Sequence, residues 1–464
     1  MIPSNRLFFS TCTALTASVF IISACGSSHP TVSNGAEVSS ASDASIDPSR
    51  ELLITDLSVV NDSRTVYNPS GGDNQGGQQG GDQVNDSWSF GRLMENMAGD
   101  HPVSDFVLRW LRTWETNQYV NGFTAPARPN IRSIVIDPWR VASGCPRGNS
   151  PCTLDFTKAP FRLLAIVYRP DLRTFINGRG NAGQGRFVFG TLDSIGRKLL
   201  FTVIFEYALL TDDQDGVFAW AQRFHELNGV PFGAEFNDKL QQITDGFTGK
   251  DVNERGVNHS ALLQLRTNEV ALVLSPCTRD ADCPGSSCNL TLRLCTSRSR
   301  WELREFTLSR STRYLQQATV KQTPDLSFNQ GGPNAARLVS FLNDPSNHDA
   351  ILSGTAQLPA SFLGASAIFF GPPLFPPPNF SWNAQGVNED LRHAFALNTC
   401  SGCHLNETAT RFLQVAPRDA GVAATISAVL RDVFLPQRSV QMSQLLAGQD
   451  DEESGDHQGG SGEN

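Results

Sequence analysis

Lys198–Leu210 reads KLLFTVIFEYALL, and upstream of it stand RLLAIVYR (Arg162–Arg169) and GRFVFGTL (Gly185–Leu192). All three stretches are dense in β-branched, aromatic and aliphatic residues, which suit a pleated, half-buried surface. Glu206 interrupts the apolar run from Leu199 to Leu210, and the run is too short to cross a bilayer, so it reads as a buried strand. Further strands are expected at Leu262–Leu274, Trp301–Leu308 and Tyr314–Lys321, with a short one upstream at Leu52–Val60. Helical spacing occurs in three places. Phe106, Trp110 and Trp114 follow Ser104, a candidate N-cap. Val217, Trp220, Ala221, Phe224 and Leu227 share one face, opened by Asp215 and closed by Gly229, while Phe236, Leu240, Ile243 and Phe247 share another. Strands grouped in the middle with helices toward both ends predict an α+β fold, a strand-rich body with flanking helices.

The ends of the chain have a different character. Residues 1–25 carry an early positive charge, Arg6, then an apolar run from Leu7 to Ile22, and close on small residues, as an export signal does. The last four, Ile22-Ser23-Ala24-Cys25, resemble the lipobox of bacterial lipoproteins, which implies cleavage before Cys25 and acylation of that cysteine. Several acyl chains together anchor a protein durably. A plain secretory signal with an incidental cysteine is the alternative. Residues 26–50 are Ser-, Ala- and Gly-rich and predict a flexible tether. Residues 69–86 (PSGGDNQGGQQGGDQVND) form a low-complexity insert, expected to be a mobile loop, and the acidic, Gly-rich tail 448–464 is expected to be disordered. Between these lie a body, 51–387, and a C-terminal segment, 388–447. Within the body, FGPPLFPPP (Phe370–Pro378) reads as stiff and polyproline-like.

The formal charge is −9 and no basic cluster is present, so the chain has no electrostatic footprint for nucleic acid. Its ten cysteines sort without remainder. Cys12 leaves with the signal and Cys25 takes the lipid. Cys145 and Cys152 flank a Pro-Arg-Gly-Asn-Ser-Pro turn and are expected to pair. Cys277, Cys283, Cys288 and Cys295 form a compact knot in CTRDADCPGSSCNLTLRLC, within 277–295. An oxidising compartment favours two disulfides there over zinc. Three pairings are open, of which 277–288 with 283–295 is preferred.

Cys400 and Cys403 remain, in Cys400-Ser401-Gly402-Cys403-His404. C-x-x-C-H is the attachment signature of c-type haem, in which two thiols add across the vinyl groups and the adjacent histidine meets the iron. The stretch HAFALNTCSGCH resembles the entry to the haem site of class I cytochromes c. Carried over, the resemblance makes Cys400 and Cys403 the thioether sites and His404 the proximal ligand, with Phe395 on a preceding helix near the porphyrin. It also calls for a downstream methionine. Met442 is the one such residue, but no Gly/Pro-rich loop surrounds it; His393, His348, His457, Met94 and Met97 are the other candidates. Two competing readings stay open: a Cys400–Cys403 disulfide with His404 incidental, and a small metal site using all three residues.

Other motifs carry less. Thr211–Gly216 looks like part of a calcium loop, but Thr211 and Gln222 stand where its first ligand and its bidentate Glu are needed, so it reads as a turn and helix cap. His225-Glu226 lacks the second histidine of a zincin and reads as structural. No nucleophile elbow, P-loop or dinucleotide fingerprint is present. More widely, WLRTWETNQYVNGFTAPARP (Trp110–Pro129), FRLLAIVYRPDLR (Phe161–Arg173), LLQLRTNEVAL (Leu262–Leu272), WELREFTL (Trp301–Leu308) and FALNTCSGCHLNET (Phe395–Thr408) resemble a family of uncharacterised myxobacterial lipoproteins. That resemblance implies a bacterial envelope location, at the outer membrane, and carries no known activity. The function expected is a lipid-anchored protein with one haem c, a redox carrier or accessory subunit meeting a redox partner protein rather than an enzyme with its own substrate. The alternative is a non-haem structural or interaction lipoprotein whose cysteines serve only as disulfides.

Overall fold

The computed structural model describes residues 45–69, 85–176, 179–272, 277–283, 287–290, 294–295, 301–320, 324–354, 356, 381–404, 406–410 and 413–448. The signal, Cys25 and the tether up to residue 44, most of the low-complexity insert, the polyproline-like stretch and the acidic tail with His457 lie outside these residues.

The fold is mixed helix and sheet, organised on an antiparallel sheet. Its strands are β1 (Leu53–Ile54), β2 (Phe161–Arg169), β3 (Thr174–Ile176), β4 (Arg179–Leu192), β5 (Lys198–Thr211), β6 (Leu262–Glu269), β7 (Glu302–Leu308) and β8 (Leu315–Ala318). They lie in the order β1-β2-β4-β5-β6-β7-β8, with β3 paired to β4 off this path. From β2 onward the main strands are a meander, each neighbour in space also the next in sequence. The expected strand at Leu52–Val60 is shorter than its apolar run. Only Leu53 and Ile54 pair, with Val167 and Ile166. Asp56 then caps a helical turn, Leu57–Val60, by accepting from the Ser58 amide.

Because side chains alternate across a strand, the sheet has two unlike faces. On β5, Phe201, Val203, Phe205, Tyr207 and Leu209 enter the main hydrophobic core, whereas Thr202, Ile204 and Glu206 line a cavity on the other side. Neighbouring strands repeat the pattern, Phe187 and Phe189 against Arg186 and Val188, and Leu265 against Gln264 and Arg266.

Helices cover the aromatic face: α1 (Phe90–Ala98), α2 (Val103–Arg112), α3 (Gln214–His225) and α4 (Ala234–Thr248). Phe90 stacks on Phe161 at 3.9 Å and meets Phe189 and Phe205 edge-on at 5.7 Å. Trp114 lies 4.9 Å from Phe306. Tyr168 stacks on Phe224 of α3 at 4.2 Å. Helix α4 approaches so closely that a Cβ on Gly185 would stand 2.4 Å from the Phe247 ring. Both expected helices of this pair form, although Asp213 rather than Asp215 caps α3. Ser104 is likewise not a cap; it lies inside α2 and its hydroxyl accepts from the Leu154 amide at 2.9 Å. Glu51, fully buried, meets His225 Nδ1 at 2.8 Å, which gives that histidine a structural partner.

Three disulfides stand among the described residues: Cys145–Cys152, Cys277–Cys288 and Cys283–Cys295. The expected pairing of the four-cysteine knot is therefore the one observed, between β6 and β7.

One buried network on the helix-covered face sets a pH dependence. Glu269 and Glu302 stand directly opposite each other on β6 and β7, and Arg128 bridges them at 2.6 and 2.8 Å. Burial pushes the Glu269 carboxyl up to about 7, Arg128 opposing this and Glu302 adding to it. A folded-state pKa above the unfolded one gives stability that is complete below the ordinary carboxylate range and is lost as pH rises through about 7. Glu269→Gln, which mimics the protonated form, is expected to remove this loss. Denaturant unfolding at pH 4.5 and 7.5 should show wild type losing, relative to the variant, on the order of 3 kcal/mol across that interval.

Candidate functional site: a cavity beneath the Cys-x-x-Cys-His turn

Over the sheet's other face lies a cavity of about 680 Å³, inside the range of roughly 300–1,000 Å³ usual for ligand pockets. Its roof comes from the C-terminal part of the chain: α5 (Glu389–Leu397), the single turn α6 (Cys400–Cys403) and α7 (Leu435–Leu446). Cys400, Cys403 and His404 all line it, as does His393 of α5. Cys400 packs against Leu303 and Val320 of the facing sheet edge.

The turn that carries the motif is locally over-determined. The Thr399 hydroxyl accepts from the Gly402 amide at 2.9 Å and from the Trp382 indole at 3.1 Å, and donates to the Ala396 carbonyl at 2.7 Å. One buried hydroxyl thus caps α6, closes α5 and anchors a fully buried tryptophan. Asn388 caps α5 at its other end. Arg392 adds a clamp, pairing with Glu407 at 2.7 Å and donating to the Trp382 carbonyl at 2.9 Å. Beyond the turn, Gln414 donates to the Cys403 carbonyl at 2.7 Å. Gly402 is required by contact: a Cβ there would stand 1.9 Å from the Ala396 carbonyl oxygen.

Neither Cys400 nor Cys403 belongs to a disulfide, while the other six cysteines of the described residues are bridged. Burial pushes the Cys403 thiol up to about 11, with the neighbouring Cys400 adding to the effect. The group is therefore a neutral thiol near pH 7 when nothing is bound to it.

The remaining candidates are placed differently. Met442 of α7 is fully buried in the main core and does not line the cavity. Met94 and Met97 of α1 are likewise core residues. His348 does not line the cavity either. Phe395 packs at 5.6 Å on Trp382 in a second, smaller core, so the expectation that it faces the haem site is corrected: it holds α5 in place.

Sequence reasoning overlooked a group of ions on the cavity's sheet wall. Arg169 makes a chelating pair with Asp171, which Arg438 of α7 also reaches at 3.3 Å. Arg186 meets Glu206 at 3.1 Å across β4 and β5, Gln264 donates to Glu206 at 2.5 Å, and Arg266 reaches Glu305 at 3.1 Å. Burial opposes the ionisation of Asp171 and Glu206, but the guanidiniums outweigh it and hold both carboxyls below their ordinary range. A signal was present in two of the strands: Arg186 and Glu206 stand among apolar residues on the parity opposite Phe187, Phe189, Phe205 and Tyr207. Buried charges of that kind are rare unless paired.

No family model matches the chain, and no curated protein and no solved structure matches it.

Gly402→Ala is expected to push α6 off the end of α5, with a loss of about 1–3 kcal/mol in denaturant unfolding. Ser401→Ala, one position away in the same turn, serves as the control for helix propensity.

Proposed function

We propose that this protein is a lipid-anchored envelope protein that holds one covalent c-type haem in an electron-transfer or accessory redox role. The observation that carries this reading is that Cys400, Cys403 and His404 line one ligand-sized cavity, with neither thiol in a disulfide. The donor set suits the group: two thiols for thioether attachment and an adjacent imidazole for iron. When bound, haem supplies a one-electron couple tuned by its axial ligands and by nearby charge. Cys400 and Cys403 would hold it, and His404 would supply an imidazole nitrogen to the iron. Met442 in the core does not support methionine as the second ligand. His393 is the other imidazole of the lining. With that position left to His393 or to a small molecule, the accessory redox role fits better than that of a methionine-ligated carrier. Anchoring rests on the lipobox-like Ile22–Cys25 and on the resemblance to myxobacterial lipoproteins.

Export in a host with haem-maturation machinery tests the reading. Wild type is expected to keep haem stain on a denaturing gel, and Cys403→Ala to lose most of it. An intact mass lacking one haem, with Cys400 and Cys403 bridged to each other, sinks the proposal in favour of a non-haem lipoprotein. Separately, Cys25→Ala should abolish palmitate labelling and release the protein from membranes.

A further inference from the structure

The ionic wall of the cavity does not balance. Among the described residues it brings four guanidiniums, of Arg169, Arg186, Arg266 and Arg438, against three carboxylates, of Asp171, Glu206 and Glu305. Two of the carboxylates are shared: Asp171 serves Arg169 and Arg438, and Glu206 serves Arg186 and, at 3.6 Å, Arg266. Arg438 is the least satisfied. It is only 8 % exposed and lines the cavity. Its shortest contact to a carboxylate is from Nε to Asp171, at 3.3 Å, and its guanidinium lies 5.7 Å over the Phe434 ring. An unmatched buried charge is costly, and the forked donors of a guanidinium match a carboxylate in geometry.

We propose that Arg438 and Arg186, backed by Arg169 and Arg266, form a carboxylate-binding seat within the cavity beneath the Cys-x-x-Cys-His turn. Two sources can supply the acid group: the propionates of the haem, an assignment that rests on the function proposed above, or a free small carboxylate, which does not. Burial and the neighbouring guanidiniums pull Arg186 down to about 9, Glu206 opposing them, and burial with Arg169 pulls Arg438 down to about 10. Both stay charged at neutral pH and repel one another, and a bound anion relieves that repulsion.

The test uses the full chain, exported without haem maturation and titrated with haemin, with haemin dimethyl ester and with sodium acetate. A seat for the propionates gives haemin about tenfold or tighter binding than its ester, a preference that shrinks toward unity in Arg438→Gln and in Arg186→Gln. A seat for a free carboxylate gives equal binding of haemin and ester, while acetate raises the melting temperature of wild type and not that of the two variants. Equal binding together with no acetate effect overturns the seat. The preference is first measured on wild-type protein, so a variant that fails to fold does not decide it. Covalent stain of matured wild type is read separately: stain without any acid preference removes the seat alone, and acetate binding without stain removes the haem reading alone.

Discussion

Everything in this molecule hangs on ionised groups that the central sheet holds away from bulk water. Glu206 is fully buried in the middle of β5. An isolated carboxylate there would cost many kcal/mol, so its ionised form depends on Arg186, Arg266 and Gln264 standing where they do. They stand there because of register: Glu206 is the direct partner of Arg186 on β4 and of Gln264 on β6. A slip of that strand by one residue would send Glu206 among Phe187, Phe189 and Phe247 and turn Phe201, Phe205 and Tyr207 toward the cavity. The ion ladder and the aromatic face therefore select the same pairing from opposite sides of one sheet, which is the consistency across levels that specifies a single fold.

The roof over that wall is assembled from distant parts of the chain. Arg418, buried near the C-terminus, donates to the Leu163 carbonyl of β2 at 3.1 Å and to the Val60 carbonyl at 2.9 Å. These contacts close loops of more than 250 residues, at an entropy cost that grows with loop length. The motif itself needs no long-range help to take its local shape, since Thr399, Ala396 and Trp382 set it within a short span of sequence.

The strands, the two amphipathic helices and the disulfide pairing were legible in the sequence because each has a short-range cause: alternation, 3.6-residue spacing, or cysteines crowded into nineteen residues. Caps were misassigned by a residue or two, as with Asp215 for Asp213, since several polar residues compete at one helix start. Leu52–Val60 was read as one strand because apolar content does not reveal where pairing partners end. The cavity wall was missed for a different reason. Arg169, Arg186, Glu206 and Arg266 belong to four separate strands, and only their register makes them one group. Met442 illustrates the converse: chemistry alone nominated it as a ligand, and its place in the main core could be found only from tertiary packing.

A cavity with this wall is selective by what it leaves unpaired. The chain is acidic, at −9, yet it gathers four guanidiniums around one internal space, so the local field there opposes the sign of the whole. A cation meets repulsion inside, and a neutral ligand of the same shape displaces water from the guanidiniums while returning no acceptor. Leaving a buried charged donor unsatisfied costs about 1–3 kcal/mol or more per group, which is how a polar site rejects an analogue lacking the matching group. Apolar surface from Leu303, Val320, Val188 and Phe434 lines the same space, so an acid without an apolar body would satisfy only half of it. On the proposed reading the ligand is therefore amphiphilic, with a broad apolar frame and carboxylates at its margin, and Cys400 and Cys403 would be the thiols that fix it covalently.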